Sequence, residues 1–163
     1  MSGDLPFTRA VATVRLAVSF ADASGRQPLD AKPPSFVTFF LMGHALELGW
    51  KSVLIVEGVT DKALRAIGHD LLEARERAES ILDSDVATTP QVAAISEMMA
   101  GYYKAKALEY VQPGFYSFPE PRQAFSAVSE YTDLLRAWVE RRVRARLENG
   151  DSPRKSRADD DFT

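Results

Sequence analysis

An all-α bundle of four to five helices is the fold this sequence predicts, on three observations. Apolar residues recur at three- and four-residue steps through most of the chain, the period of a helix with one buried face. Ser, Thr, Asp and Pro stand at the starts of those stretches, and glycines stand at their ends. Few segments alternate with period two, so a sheet is not expected.

The elements follow in order. Val11, Val14, Val18 and Ala21 make one apolar face of a helix over 8–22. The polar stretch SGRQPLDAKPPS (24–35) reads as a loop. Pro33 and Pro34 open a long helix that runs to about Glu57 and ends at Gly58. Thr60 or Asp61 caps a short helix over 61–67, and Gly68 stops it. Asp70 with Glu73 three residues on has the form of a capping box for a helix over 71–83. Thr89 and Pro90 supply an N-cap and a first-turn proline for a helix carrying Val92, Ile95, Met98, Met99, Tyr102 and Tyr103. The aromatic, proline-bearing stretch EYVQPGFYSFPEP (109–121) reads as a loop. A last helix over about 123–148 carries Phe125, Val128, Tyr131, Leu135, Trp138 and Leu147 near one stripe. The domain expectation is one helical unit over 1–150 and a disordered charged tail over 151–163.

Composition narrows the chemistry. The 163 residues are 45% apolar and 26% charged, an ordinary globular balance for one domain. The absence of cysteine excludes disulfides, thiolate metal sites and cysteine nucleophiles. With only two histidines, His44 and His69, an all-histidine metal site is excluded too, and neither a metal nor a cofactor is expected. MSGDLPFTRAVATV lacks a basic segment followed by an apolar run and a cleavage site, so the expected location is the cytoplasm.

The stretch FVTFFLMGHALELGWKSVLIVEG is apolar almost all round and should be the central helix. His44, Glu47 and Lys51 interrupt it, which argues against a membrane span. Their i, i+3, i+7 spacing places them on one helix face. A carboxylate in such surroundings is costly to bury alone, and Lys51 and His44 are its natural partners. Gly43 and Gly49 would let neighbouring helices approach closely.

The paired segments GHALELGWKSVLIVEG (43–58) and IGHDLLEARERA (67–78) resemble the signature of a bacterial HEPN-like group (higher eukaryotes and prokaryotes nucleotide-binding). In that group a helix carries a His-Ala-hydrophobic-Glu-Leu-x-x-Lys pattern, followed by a loop and a Gly-His-Asp-Leu segment. His44, Glu47, Lys51, Gly68, His69, Asp70 and Leu71 fall on the pattern, which covers roughly residues 35–80. The resemblance implies an up-and-down helical bundle, often dimeric, sometimes linked to nucleotide binding or RNA cleavage. Ribonuclease-type members carry Arg, four to six residues, then His, late in the fold. Here Arg65 and His69 have three residues between them, and no histidine follows the arginine-rich 136–146 stretch. The late ribonuclease motif is missing.

Three sets of residues are therefore candidates. Arg65 and His69 could act on a phosphate ester as anion stabiliser and acid–base group. His44, Glu47, Lys51, His69 and Asp70 could form a ligand site or a polar network that fixes helix register. Arg141, Arg142, Arg144 and Arg146 could contact phosphates, because residues 134–157 hold eight basic and three acidic side chains while residues 1–133 have an acidic excess. The same cations near a helix C-terminus also oppose its dipole without any partner. Tyr102, Tyr103, Phe115, Tyr116 and Phe118 could stack bases or close the end of a bundle.

The functional expectation is a binding or regulatory module for nucleotide, RNA or a protein partner. A divergent ribonuclease or nucleotide-transfer component using Arg65 and His69 is one alternative, and a structural interaction protein another. A homodimer is expected, on the premise that Phe36, Met42, Trp50 and Trp138 form an exposed apolar patch.

Overall fold

The computed structural model describes residues 5–106 and 117–150. Those residues form six α-helices and no strand: α1 (Leu5–Gly25), α2 (Phe36–Val56), α3 (Asp61–Ile67), α4 (Leu71–Glu79), α5 (Pro90–Lys104) and α6 (Pro121–Glu148), with a single 3-10 turn at Ser84–Val86 between α4 and α5. Four helices are long. The other two, α3 and α4, are the short helices expected on either side of Gly68, of seven and nine residues. The expected tail over 151–163 lies outside the described residues.

Several boundaries differ from the sequence expectation, each for a local reason. α1 runs on through Ser24 and Gly25, where the buried Ser24 hydroxyl donates back to the Ala21 carbonyl at 2.7 Å. α2 begins after an extended Ser35, so the proline pair precedes the helix rather than opening it. α4 ends at Glu79 instead of 83, because the Ile81 and Leu82 amides both donate to the Ala78 carbonyl and tighten the chain into a turn. α6 starts two residues early at Pro121, because Glu120 caps it by accepting from the Arg122 and Gln123 amides.

α2 is the centre of the bundle and packs on α1, α4, α5 and α6. Phe39, Met42, Leu46, Trp50 and Val53 of α2 are fully buried. By length and composition α2 could cross a membrane, and 72% of its apolar window is buried against the other helices. Polar atoms brought into the core find partners. The Trp50 indole donates to the Tyr131 hydroxyl at 3.2 Å, and that hydroxyl also meets Thr88 at 3.0 Å. Trp138 donates to Asp83 at 2.7 Å.

The premise of an exposed apolar patch is corrected here. Met42, Trp50 and Trp138 are buried and Phe36 is half-buried. The large apolar side chains that do reach solvent, Leu16, Val37, Leu72, Met98, Leu134 and Leu147, are spread over five helices. Scattered single exposures of this kind do not mark an interface.

Candidate functional site

Two glycines of α2 decide which helices come close to it. A Cβ on Gly43 would lie 2.6 Å from the Tyr103 ring of α5, and one on Gly49 would lie 2.8 Å from a Leu135 methyl of α6. Without the first Cβ, Tyr103 drops against α2 beside His44 and Glu47. The turn after α3 supplies the opposite wall. Gly68 adopts φ 57°, a left-handed value that suits glycine, and reverses the chain so that His69 faces back toward α2.

These elements converge on Glu47, which is 3% exposed. Its Oε1 accepts from the Lys51 ammonium at 2.5 Å, and its Oε2 accepts from the Tyr103 hydroxyl at 2.6 Å. The same Oε2 meets Nδ1 of His69 at 3.1 Å. Lys51 also donates to the Gly68 carbonyl at 2.6 Å, which ties α2 to the α3–α4 turn. His44 joins at one remove, its Nδ1 lying 2.5 Å from the Tyr103 hydroxyl and 3.9 Å from Glu47. Burial alone would raise the Glu47 carboxyl, but the hydrogen bonds from Lys51, Tyr103 and His69 outweigh it and hold the pKa below the ordinary value of 4.5. Glu47 is therefore an anion at neutral pH, with three donors around it.

That charge state sets the proton positions. An ionised carboxylate only accepts, so His69 presents an Nδ1–H to it. Tyr103 gives its one hydroxyl proton to Glu47, so His44 donates from Nδ1 to the tyrosine oxygen. The Nε2 atom of His69 has no protein partner among the described residues, and its side chain is 41% exposed.

His69 opens onto a pocket of about 440 Å³ between α1, α2 and α3. Arg9 and Thr13 of α1, Leu48, Lys51 and Ile55 of α2, and Asp61, Leu64 and Arg65 of α3 line it, with Gly68 and His69 from the turn. Its charges are unevenly satisfied. Arg9 pairs with Asp61, and Lys51 pairs with Glu47. Arg65 is exposed and donates no hydrogen bond to another described residue. The lining carries three cations, Arg9, Lys51 and Arg65, against the carboxylate of Asp61, whose negative charge both Arg9 and Arg65 favour.

The remaining candidates lie elsewhere. Asp70 is not part of the Glu47 network; it caps α4 by accepting from the Leu72 and Glu73 amides and pairs with Lys104 at 2.6 Å. Lys104, joined by those amides, holds its carboxyl below the ordinary carboxylate value against the opposing effect of burial. Glu73 instead pairs with Arg77, so only half of the expected capping box forms. Among the α6 arginines, Arg142 and Arg146 both turn inward to Glu57 at the end of α2, Arg142 at 2.7 Å. Arg141 and Arg144 are exposed on the helix. No group of His, Asp and Glu suited to a metal ion occurs among the described residues.

The sequence reading missed Tyr103 as a network member, along with Arg9 and Thr13 as pocket walls. A signal for Tyr103 exists: it closes the buried stripe Val92, Ser96, Met99, Tyr103 of α5, and a buried tyrosine hydroxyl needs a partner. Of the other aromatics, Tyr102 packs against Phe118, whose ring stacks on Phe39 at 4.3 Å. Phe115 and Tyr116 lie outside the described residues. No protein-family model, curated protein or solved structure matches the chain, so the site stands on its own geometry.

Proposed function

We propose that this protein is a HEPN-like binding module that recognises a phosphate group of a nucleotide or RNA in the Arg65–His69–Lys51 pocket. One observation carries the reading: an exposed arginine that donates no hydrogen bond to another described residue, Arg65, lines an open pocket together with a lysine and an imidazole. Guanidinium is the side chain best matched to phosphate oxygens, and the hydrogen-bond donors of Arg65 are open because the Asp61 carboxylate four residues before it bonds to Arg9. Glu47 supports the site from beneath by fixing Lys51 and His69 in place.

The test is binding of fluorescein-labelled single-stranded RNA, and of adenosine monophosphate as competitor, at constant ionic strength. Removing a charge-assisted contact costs about 1.5–3 kcal/mol, so Arg65→Ala should weaken binding by roughly 10- to 100-fold. An Arg141→Ala/Arg144→Ala variant should weaken it less. Equal affinity in Arg65→Ala and the parent, or no binding by the parent, overturns the proposal.

Cleavage of a phosphate ester by Arg65 and His69 is a second reading, supported by the Glu47 carboxylate that orients the partly exposed imidazole through Nδ1 and leaves Nε2 without a protein partner among the described residues. The missing late Arg–His motif weighs against it. Purified protein incubated with labelled RNA should give no product. Cleavage that disappears in Arg65→Ala/His69→Ala would promote the enzyme reading over the binding one.

A further inference from the structure

Asp61 and Arg65 stand four residues apart on α3, the spacing at which a carboxylate and a guanidinium on one helix face can pair. Both line the pocket, yet Asp61 bonds to Arg9 of α1, and Arg65 donates no hydrogen bond to another described residue. Two guanidinium groups therefore act on one carboxylate: Arg9, which bonds to it, and Arg65, whose charge also favours its ionised form. We infer that Asp61 is a competitor for Arg65 built into the pocket wall, and that Arg9 is a positioning residue that keeps the anion site open by holding that carboxylate to α1. The inference rests on the pocket being an anion site, as proposed above.

The other charges nearby leave the choice of Asp61 to Arg9 and Arg65. Lys51 is engaged by Glu47 and by the Gly68 carbonyl. Glu47 also accepts from Tyr103 and meets His69, so that cluster is bonded within itself. Lys62 follows Asp61 directly in α3, and neighbours in sequence face different sides of a helix. The Arg9 and Asp61 side chains are 49% and 54% exposed. Exposed ion pairs contribute little to stability, so loss of Arg9 releases Asp61 without unfolding the chain. The released carboxylate then has Arg65 on its own helix face. A guanidinium paired in that way offers a phosphate fewer donors and no net charge. Apparent affinity falls with the fraction of molecules that remain open. The competition runs between groups that keep their charges across neutral pH, and it needs no proton transfer.

The probe is adenosine monophosphate, titrated calorimetrically into the full chain at pH 7.5 and a constant ionic strength of about 50 mM, where screening between surface charges is weak. Arg9→Ala should weaken binding about three- to fivefold, the upper range for an exposed ion pair. Asp61→Asn should bind at least as tightly as the parent. Arg9→Ala/Asp61→Asn lacks the competitor and should match Asp61→Asn, restoring what Arg9→Ala lost. The Arg65 Nε–H resonance of the free protein should move in Arg9→Ala, as the carboxylate arrives, and should coincide in Asp61→Asn and the double variant. An Arg9→Ala loss of the same size in the Asp61→Asn background means that Arg9 acts on the ligand itself, and overturns the inference. Weaker binding by Asp61→Asn marks the pair as a structural tie between α1 and α3, and also overturns it, as does Arg9→Ala binding as tightly as the parent. Each of these results leaves the anion site standing where Arg65→Ala abolishes binding. Absence of any Arg65-dependent binding by the parent removes the anion site, and the inference with it.

Discussion

Replacing Glu47 by Gln keeps the shape of the side chain and removes its charge. The carboxylate accepts from Lys51 on one oxygen and from Tyr103 and His69 on the other. The amide keeps one acceptor. If its oxygen faces Tyr103 and His69, its NH2 group confronts the Lys51 ammonium, a donor against a donor. The loss is one charge-assisted bond, about 1.5–3 kcal/mol, together with an ammonium that is 16% exposed and left with Gly68 alone. A destabilisation of about 2–3 kcal/mol follows, or roughly 4–12 °C in Tm for a chain of this size. Glu47→Ala should cost more, about 3–5 kcal/mol, the usual penalty for breaking a buried pair. Urea unfolding followed by circular dichroism at pH 7 measures both. The folded-state pKa of Glu47 lies below its ordinary value, so its contribution is complete above pH 4.5 and is lost as pH falls through the folded-state value. The gap between parent and Glu47→Gln should therefore narrow on acidification below pH 4.5. A Glu47→Gln protein as stable as the parent at pH 7, or a gap that does not change with acid, would refute the network's role.

Two further substitutions probe the packing that delivers the site. Gly43→Ala drives a methyl to within 2.6 Å of the Tyr103 ring, whose hydroxyl is pinned by Glu47 and His44; a loss of about 1–3 kcal/mol is expected, whereas Gly49→Ala meets only a Leu135 methyl at 2.8 Å and should stay within ~1 kcal/mol of the parent because alanine favours the helix. Urea midpoints in the opposite order would contradict this assignment. Tyr131→Phe strands the buried Trp50 N–H and should cost about 1–3 kcal/mol, read from the same unfolding curves.

The helices were legible wherever a chemical punctuation mark stood at the boundary. Thr60, Asp70 and Thr89 cap the helices assigned to them, and Gly58 and Gly68 take positive φ where the chain stops or turns. Boundaries without such a mark drifted: α4 ends early through carbonyl sharing at Ala78, and α6 starts early on a glutamate cap. The His44, Glu47 and Lys51 face was readable because i, i+3, i+7 spacing is local. Tyr103 and Arg9 were not, because they reach the site from helices far away in the chain, and one-helix periodicity carries no information on which helices meet. Exposure of Trp50 and Trp138 was misjudged for the same reason. Their burial depends on where Tyr131 and Asp83 arrive, each with the polar atom that an indole needs.

The location of a bound oxyanion tests the pocket most directly. Crystals of the full chain soaked in selenate at pH 6 and measured at the selenium absorption edge would place the anion by its anomalous signal. The signal should fall between Arg65 and Nε2 of His69, within hydrogen-bonding distance of both, and vanish from that position in Arg65→Ala. Selenate found only along Arg141 and Arg144, or nowhere on the molecule, would contradict the pocket as the phosphate site.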